Sequence, residues 1–235
     1  NSLSVTTADA NVASGKTLTV DASALVTGAL TFDGSAETNG AFSVTGGAAA
    51  DSITTGKGAD TINAGAGDDT VTVSAGSTAT VNLGAGADAI TFAATGMVTV
   101  TGGSGADTFN VVSKTLGGSI YDTISDATTG DIISTADKGT EAWASTNAAG
   151  SKVVLGTAAS FSDYLSASVV LGGDSSTHGH YAWFVYGGNT YVVESTHNAT
   201  TNASFVAADR VVQLTGVVNL AGSTVGDHII TLAVA

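Results

Sequence analysis

The chain has 235 residues, of which 20 are Asp or Glu and 6 are Lys or Arg, so its formal net charge is −14. This excess of negative charge disfavours binding to nucleic acid and to anionic membranes, and it favours the binding of cations. Cysteine is absent, which excludes disulfides and thiolate metal sites. No apolar run approaches the length of a membrane span, so we expect no membrane insertion.

Short triplets of the form apolar-x-apolar dominate the chain before residue 115, and small-residue turns separate them. The triplets begin at Leu18, Leu30, Phe42, Val71, Val81, Ile90 and Val98. Strands this short cannot bury a face alone and must stack, so the pattern predicts an all-β fold built around a parallel β-solenoid. An antiparallel β-sandwich is the alternative, although its turns would not repeat their chemistry.

Five turns of this region repeat one nine-residue pattern, G-G-x-G-x-D-x-U-x, in which U is a large apolar residue. The copies are GGAAADSIT, TGKGADTIN, AGAGDDTVT, LGAGADAIT and GGSGADTFN. Glycine permits tight turns that aim carbonyl oxygens inward, and the aspartate adds a carboxylate, so each turn supplies part of the oxygen shell that Ca²⁺ requires. We expect the U residues to face the core; they are Ile53, Ile62, Val71, Ile90 and Phe109. The repeat is that of calcium-binding RTX proteins.

The five aspartates of the repeats are Asp51, Asp60, Asp69, Asp88 and Asp107. Successive turns of a roll alternate between its two edges, so next-but-one turns stack on the same edge. Four of the aspartates then form one column, at steps of 18, 19 and 19 residues. Asp60 lies on the other edge, whose next positions, near Thr78 and Met97, carry no acid. We therefore expect three calcium sites on the first edge and a second edge depleted of them.

Residues 46–110 resemble the parallel β-roll of RTX proteins, and the resemblance implies which residues form each site. One turn contributes the carbonyls of its second and fourth positions and its aspartate; the next turn on the same edge contributes those of its first and third positions and its aspartate. The first site would combine Gly47, Ala49 and Asp51 with Ala64, Ala66 and Asp69. The second would combine Gly65, Gly67 and Asp69 with Leu83, Ala85 and Asp88. The third would combine Gly84, Gly86 and Asp88 with Gly102, Ser104 and Asp107. Ala49 and Leu83 replace the usual glycine, which predicts strained turns and weaker binding there.

The segment SIYDTISDATTGDII, residues 119–133, is similar to the element that closes RTX rolls in serralysin-type proteins. Asp122, Asp126 and Asp131 match the acids of that element, whereas Ala127 replaces its usual aromatic residue. Two interpretations remain open for these acids: a further calcium site, or carboxylates that only cap the stack.

The C-terminal half contains bulkier residues and predicts a mainly-β capping domain. We expect a helix around Ser160–Ser168, a hairpin with strands at 181–186 and 190–194, and a further strand and a turn within 210–220. The predicted domains are solenoid rungs at 1–45, the nonapeptide roll at 46–114, and a capping and secretion-signal domain at 115–235. Nothing in NSLSVTTADA resembles a natural start, so we expect a longer native chain.

Three segments, LGTAASFSDYL, FVYGGNTYVVE and VVQLTGVVNL, resemble the C-terminal region of calcium-dependent bacterial S-layer proteins of the RTX type. The resemblance implies Ca²⁺ as ligand, self-assembly into a lattice on the bacterial cell surface, and type I secretion directed by an uncleaved signal in HIITLAVA. Cell-surface polysaccharide is a further partner, bound through a region outside this chain. HExxH, G-x-S-x-G and P-loop motifs are absent, so we expect no enzyme. The alternative is the secretion and folding module of an RTX exoenzyme or adhesin.

Overall fold

The computed structural model of the protein describes residues 1–112, 121–135, 152–171, 180–195, 209–226 and 229–234. Its contacts divide into two units, the first formed by Asn1–Asn110 and Asp122–Asp126, the second by Val111–Tyr121 and Ala127–Ala235. Ser119 and Ile120 of the closing element, and His228 and Ala235 of the expected secretion signal, lie outside the described residues.

The first unit is a stack of twelve short strands. They are β1 Leu3–Thr6, β2 Thr17–Asp21, β3 Leu30–Asp33, β4 Ala41–Thr45, β5 Ser52–Thr54, β6 Ala59–Ala66, β7 Thr70–Thr72, β8 Thr78–Ala85, β9 Ala89–Thr91, β10 Met97–Ser104, β11 Thr108–Asn110 and β12 Asp122–Ile124. A single 3₁₀ turn at Asp9–Asn11 lies between β1 and β2.

The strands of the first unit alternate between two parallel sheets. Odd-numbered strands follow the order β1-β3-β5-β7-β9-β11, and even-numbered strands follow β2-β4-β6-β8-β10-β12. Every pairing within these two sheets is parallel. Each turn of the stack therefore uses two strands and two connecting turns. The predicted all-β parallel roll is confirmed, and the antiparallel sandwich is wrong.

The core of the first unit consists of one inward-facing apolar row from each sheet. Ile53, Val71, Ile90 and Phe109 lie in register on successive odd-numbered strands and are at most 1% exposed. Ile62 belongs to the matching row of the even-numbered strands and is equally buried. All five predicted core residues are thus confirmed. Burial of such a side chain contributes roughly 1.5–3 kcal/mol relative to exposure, so the small-residue turns are held by a continuous apolar ladder.

The second unit contains one described helix and six described strands, β13 to β18. These are β13 Ile132–Ser134, α1 Phe161–Leu171, β14 His180–Tyr186, β15 Asn189–Ser195, β16 Arg210–Leu214, β17 Thr224–Gly226 and β18 Ile229–Thr231. Strands β14, β15 and β16 form an antiparallel sheet, and β13, β18 and β17 form a second antiparallel group. The predicted helix and the predicted hairpin are confirmed.

Helix α1 begins at a local capping arrangement and packs on an aromatic cluster. The N–H and Oγ of Ser160 both donate to the Asp163 carboxylate, at 2.8 and 2.7 Å, which caps the first turn. The ring centres of Phe161 and Tyr191 lie 4.9 Å apart, and those of Tyr164 and Phe184 lie 5.0 Å apart. These aromatic contacts give the second unit the bulkier core that its composition predicts.

A buried ion pair joins two neighbouring strands of the second unit. Arg210 Nη1 donates to Glu194 Oε2 at 2.5 Å, and the two residues lie directly opposite each other on β16 and β15. Thr135 Oγ1 donates to the other carboxylate oxygen of Glu194 at 2.9 Å. No sequence pattern had indicated a partner for Glu194.

Among the described residues, none of the helices has the length and apolar character that crossing a bilayer requires.

The close stacking of the first unit predicts different outcomes for two glycines of similar conformation. A Cβ at Gly103 (φ +97°) would lie 2.0 Å from the Gly84 carbonyl oxygen, whereas a Cβ at Gly76 (φ +92°) meets nothing closer than 3.7 Å. We expect Gly76→Ala to cost only the backbone strain of about 1–2 kcal/mol, and Gly103→Ala to cost clearly more. Urea unfolding at fixed calcium measures both. Equal losses would contradict this close contact between turns.

Candidate calcium sites

Four turns on one edge of the roll bring four buried aspartates into a column. This aspartate edge consists of turns 46–51, 64–69, 83–88 and 102–107. Oδ1 of Asp69 accepts the N–H of Asp51 at 2.7 Å. In the same way, Oδ1 of Asp88 accepts the N–H of Asp69 at 2.7 Å, and Oδ1 of Asp107 accepts the N–H of Asp88 at 3.0 Å. The four side chains are 1–3% exposed. One turn of the roll therefore equals the 18–19-residue spacing of the aspartates.

The second carboxylate oxygens of this column lack protein partners at its centre. Oδ2 of Asp69 and Oδ2 of Asp88 are buried and accept no hydrogen bond. Burial, followed by the charges of Asp88, Asp51 and Asp68, raises the pKa of Asp69 to about 7. Burial also raises the pKa of Asp88, with a contribution from the charge of Asp68. A cation between the turns would relieve both the unsatisfied oxygens and the repulsion.

In the described part of the roll, no basic residue belongs to a turn of the aspartate edge. Between residues 17 and 113, nine residues are acidic and Lys57 alone is basic. Lys57 belongs to a turn of the other edge, where its backbone N–H donates to the Glu37 carbonyl. The residues of the aspartate edge therefore fit a small divalent cation with oxygen ligands.

Backbone carbonyls of stacked turns lie beside the carboxylates. Ala66, Ala85 and Ser104 occupy equivalent positions in register. Ala66 N–H donates to the Gly47 carbonyl at 3.0 Å, Gly67 N–H to that of Ala85 at 2.8 Å, and Gly86 N–H to that of Ser104 at 2.9 Å. Each carbonyl keeps a second lone pair. The other predicted carbonyl ligands belong to the same turns: Ala49, Ala64, Gly65, Gly67, Leu83, Gly84, Gly86 and Gly102.

The backbone would have to supply most ligands of any cation held here. No three His, Cys, Asp or Glu side chains converge on one point within the described residues. Each pair of stacked turns brings two carboxylates, and Ca²⁺ takes six to eight oxygens. The role of these residues as calcium ligands stays a prediction.

The first turn of the aspartate edge differs from the other three. Gly65, Gly84 and Gly103 have φ values of +115°, +112° and +97°, whereas Gly47 at the equivalent position is not in the positive-φ region. Ala49 also stands where the later turns have glycines of positive φ. The two sites between turns 64–69, 83–88 and 102–107 are consequently the regular ones.

Leu83 does not cause the strain that its departure from glycine predicts. It lies within strand β8, and its side chain is fully buried. The equivalent Gly102 is outside the positive-φ region, so this position does not require a left-handed backbone. The Leu83 side chain therefore packs in the core, and its backbone carbonyl keeps its place in the turn, where it is a predicted calcium ligand.

The opposite edge, with turns 34–40, 55–58, 73–77 and 92–96, carries Asp60. Oδ1 of Asp60 accepts the Phe42 N–H at 2.8 Å, and Oδ2 accepts the Ser77 hydroxyl at 3.1 Å. The register places Ala79 and Val98 above Asp60. These positions lie one residue beyond Thr78 and Met97, near which the prediction placed them, because strand β8 pairs with β6 at a step of 19 residues. Neither position is acidic, so the acids of this edge do not continue upward from Asp60.

The acids of the closing element all accept backbone hydrogen bonds. Asp122 Oδ1 accepts the Val98 N–H at 2.9 Å, and the two oxygens of Asp126 accept the N–H groups of Gly102 and Gly103, each at 2.8 Å. In the second unit, Asp131 Oδ2 accepts the Thr128 N–H at 2.7 Å. These contacts cap the last turns, and Asp122 and Asp131 are buried rather than on the surface. A further calcium site at these acids stays a prediction.

Comparison with known families agrees with this geometry in the central turns. Residues 44–77 match the family model of the RTX calcium-binding nonapeptide repeat (4 copies). The chain carries an RTX-type calcium-binding repeat. The matched RTX segment includes Asp51, Asp60 and Asp69, and it supports Ca²⁺ as the ligand. No curated protein matches the chain.

One buried acid near the RTX segment escaped the sequence patterns. Glu37 is fully buried in the turn DGSAETNG, which does not match the nonapeptide. The available signal was a turn rich in small and polar residues, lying between the apolar triplets that begin at Leu30 and Phe42. Nothing in that signal indicates that the acid of the turn points inward.

Neutralising Asp88 should have opposite effects with and without calcium. Asp88→Asn keeps an oxygen for the Asp69 N–H but removes the charge shared by two sites. Without calcium we expect stability equal to or above that of the wild type, because a buried repulsion is lost. With calcium we expect lower stability and a calcium midpoint raised about tenfold, equivalent to ~1.4 kcal/mol.

Urea unfolding followed by circular dichroism, in chelator and in millimolar calcium, measures both effects. Asp68→Asn, at an exposed neighbour that accepts the Ala87 N–H, is the matched control. It removes a charge near the column but no carboxylate from within it, so it should raise the calcium midpoint clearly less than Asp88→Asn does. A loss of stability in chelator for Asp88→Asn would contradict the assignment.

The raised pKa of Asp69 predicts how stability depends on pH without calcium. Its folded-state pKa of about 7 exceeds the ordinary value of 3.8, so the folded state binds more protons than the unfolded state between those values. Stability in calcium-depleted buffer should therefore fall as pH rises from about 4 to about 7. In saturating calcium the trend should reverse, because protons compete with the cation. Urea midpoints at both ends of this range decide it, and a flat profile without calcium would count against a buried, unneutralised Asp69.

Proposed function

We propose that this chain is the calcium-ordered part of a structural protein that assembles into an S-layer on the bacterial cell surface. In this proposal it is exported by type I secretion and has no catalytic role. The observation that carries the calcium dependence is the column of stacked, buried aspartates in which Oδ2 of Asp69 and Oδ2 of Asp88 have no hydrogen-bond partner. The lattice role rests on the resemblance of the C-terminal segments to S-layer proteins of the RTX type.

Calcium would couple folding to export. In a calcium-poor cytosol the stacked carboxylates repel one another and oppose closure of the roll, so the chain stays unfolded and fits a secretion channel. Extracellular calcium modules bind with dissociation constants of about 10⁻⁴ to 10⁻³ M. At ten times the dissociation constant each site stabilises the folded state by ~1.4 kcal/mol. Binding energy at several sites thereby becomes folding energy outside the cell.

The regular stack supports a structural role. Strands β1 to β3 precede the RTX segment, yet they belong to the same two sheets as the nonapeptide strands. The roll is therefore a continuous stack whose rungs do not depend on one uniform turn sequence, which suits a building block for a lattice. Contacts with other copies, and with cell-surface polysaccharide through a region outside this chain, complete the proposal.

A calcium titration followed by circular dichroism, light scattering and electron microscopy tests the proposal, with magnesium as the control ion. We expect calcium, and not magnesium, to convert coil to β structure and then to produce sheet-like particles. Asp68→Asn should assemble like the wild type, whereas Asp88→Asn should need more calcium for both steps.

The other outcomes separate the alternatives. Folding that ends in a monomer would support the secretion and folding module of an exoenzyme or adhesin instead of a lattice protein. A chain that folds identically in chelator would overturn calcium-coupled folding itself.

A further inference from the structure

Glu37 is a fully buried carboxylate that is only half satisfied by hydrogen bonds. Its Oε1 accepts three backbone N–H groups of its own turn, from Thr38 at 3.1 Å, Asn39 at 3.1 Å and Gly40 at 2.8 Å. Its Oε2 is buried and has no hydrogen-bond partner. A capping role accounts for Oε1 alone. The buried Oε2 needs a further partner, because an unsatisfied polar atom in the interior costs about 1–3 kcal/mol.

A second buried carboxylate lies one turn further along the opposite edge. The turn at 55–58 stacks directly on the turn at 34–40: Lys57 N–H donates to the Glu37 carbonyl at 2.9 Å, and a Cβ at Gly56 would lie 2.8 Å from the Glu37 Cβ. Asp60 follows this upper turn and is 1% exposed. Burial raises the pKa of Asp60, and the charge of Glu37 contributes to the shift.

The hydrogen bond that Asp60 makes to the turn below reproduces, with a different partner, the bond seen on the aspartate edge. There, Oδ1 of Asp69 bonds the N–H of the residue one turn below, and that residue is Asp51. On the opposite edge, Oδ1 of Asp60 makes the same bond to the N–H of Phe42, which has no carboxylate. Glu37, five residues before Phe42, reaches the interior from a longer turn and supplies the acid that Phe42 lacks.

The surroundings favour a cation as the missing partner. The nearest basic residues in the chain, Lys16 and Lys57, are both exposed, and neither bonds the buried Glu37 Oε2. Above Asp60, the Ser77 hydroxyl donates to Asp60 Oδ2 at 3.1 Å and lies 3.2 Å from the Gly58 carbonyl oxygen. The next turn upward therefore contributes a hydrogen-bond donor in place of an acid, so a cation bound by Asp60 would lie on the Glu37 side.

We propose that Glu37 and Asp60 bind a calcium ion between turns 34–40 and 55–58, with backbone carbonyls and water completing its shell. The turn that contains Glu37 does not match the nonapeptide, and its residues lie outside the segment matched by the RTX family model. The site rests on calcium binding by this chain but is separate from the aspartate column. Calcium suits it because Ca²⁺ accepts irregular oxygen geometry, whereas Mg²⁺ requires a near-ideal octahedron.

Glu37→Gln tests the site, because glutamine keeps an oxygen for the three backbone N–H groups and removes the negative charge. We expect calcium bound at saturation, measured by equilibrium dialysis with the 235-residue chain, to fall by one ion per chain. Asp9→Asn is the matched control. Asp9 is an exposed acid that accepts hydrogen bonds from the N–H and the hydroxyl of Thr38, a residue of the Glu37 turn, at 2.8 and 2.6 Å. The Asp9→Asn chain should bind as much calcium as the wild type.

An unchanged calcium count in a folded Glu37→Gln chain would overturn the site and leave Glu37 as a backbone cap. If the variant does not fold, anomalous diffraction from calcium-loaded wild-type crystals decides the question. A peak roughly 2.3–2.6 Å from Glu37 Oε2 supports the site. Peaks in the aspartate column with none beside Glu37 overturn this site alone, whereas a chain that binds no calcium at all overturns the proposed function as well.

Discussion

The first unit depends on one repeated interaction: an aspartate carboxylate bonds the backbone N–H of the residue one turn below. At Asp51, Asp69, Asp88 and Asp107 this bond joins successive turns at 2.7–3.0 Å. The same geometry buries like charges at a spacing of one turn, and it leaves oxygens at Asp69 and Asp88 without hydrogen bonds. The turns are therefore aligned by hydrogen bonds but repel electrostatically. A divalent cation would remove the repulsion without disturbing the alignment, and this is the physical basis of the calcium-coupled folding proposed above.

The apolar ladder and the charged edge act on the same register. Ile53, Val71, Ile90 and Phe109 follow the column aspartates by two residues and lie in one buried row. A slip of one residue would expose this row and remove each carboxylate from its backbone partner. Hydrophobic burial thus fixes where the carboxylates stand, and the carboxylates limit how stable the stack is before calcium binds. The second unit uses other interactions, with an aromatic cluster around Phe161 and the buried pair of Glu194 and Arg210.

The two edges of the roll differ because their turns have different lengths and acids. The aspartate edge repeats one short turn, and its residues match one another position by position. The opposite edge has Asp60 above Phe42, with Glu37 entering from a longer turn that lies outside the repeat pattern. A buried carboxylate can therefore come from a regular nonapeptide turn or from an irregular turn, provided that the sheets hold the two turns at matching levels of the roll. The acids of the closing element bond the last turns in a related way, through Asp122 and Asp126.

The sequence by itself determined the class of the fold, the spacing of the rungs and the column of four aspartates. These features are local and periodic: glycine, carboxylate and apolar residue recur at fixed intervals, and stacking converts an interval into a position. It also indicated helix α1 and the hairpin, whose apolar pattern and Gly-Gly-Asn turn are local signals. Only the tertiary structure decided the rest. The inward position of Glu37, the exact register above Asp60, the accommodation of Leu83 and the partner of Glu194 all depend on contacts between residues distant in the chain. Such contacts depend on turn length and side-chain packing, which no repeat pattern encodes.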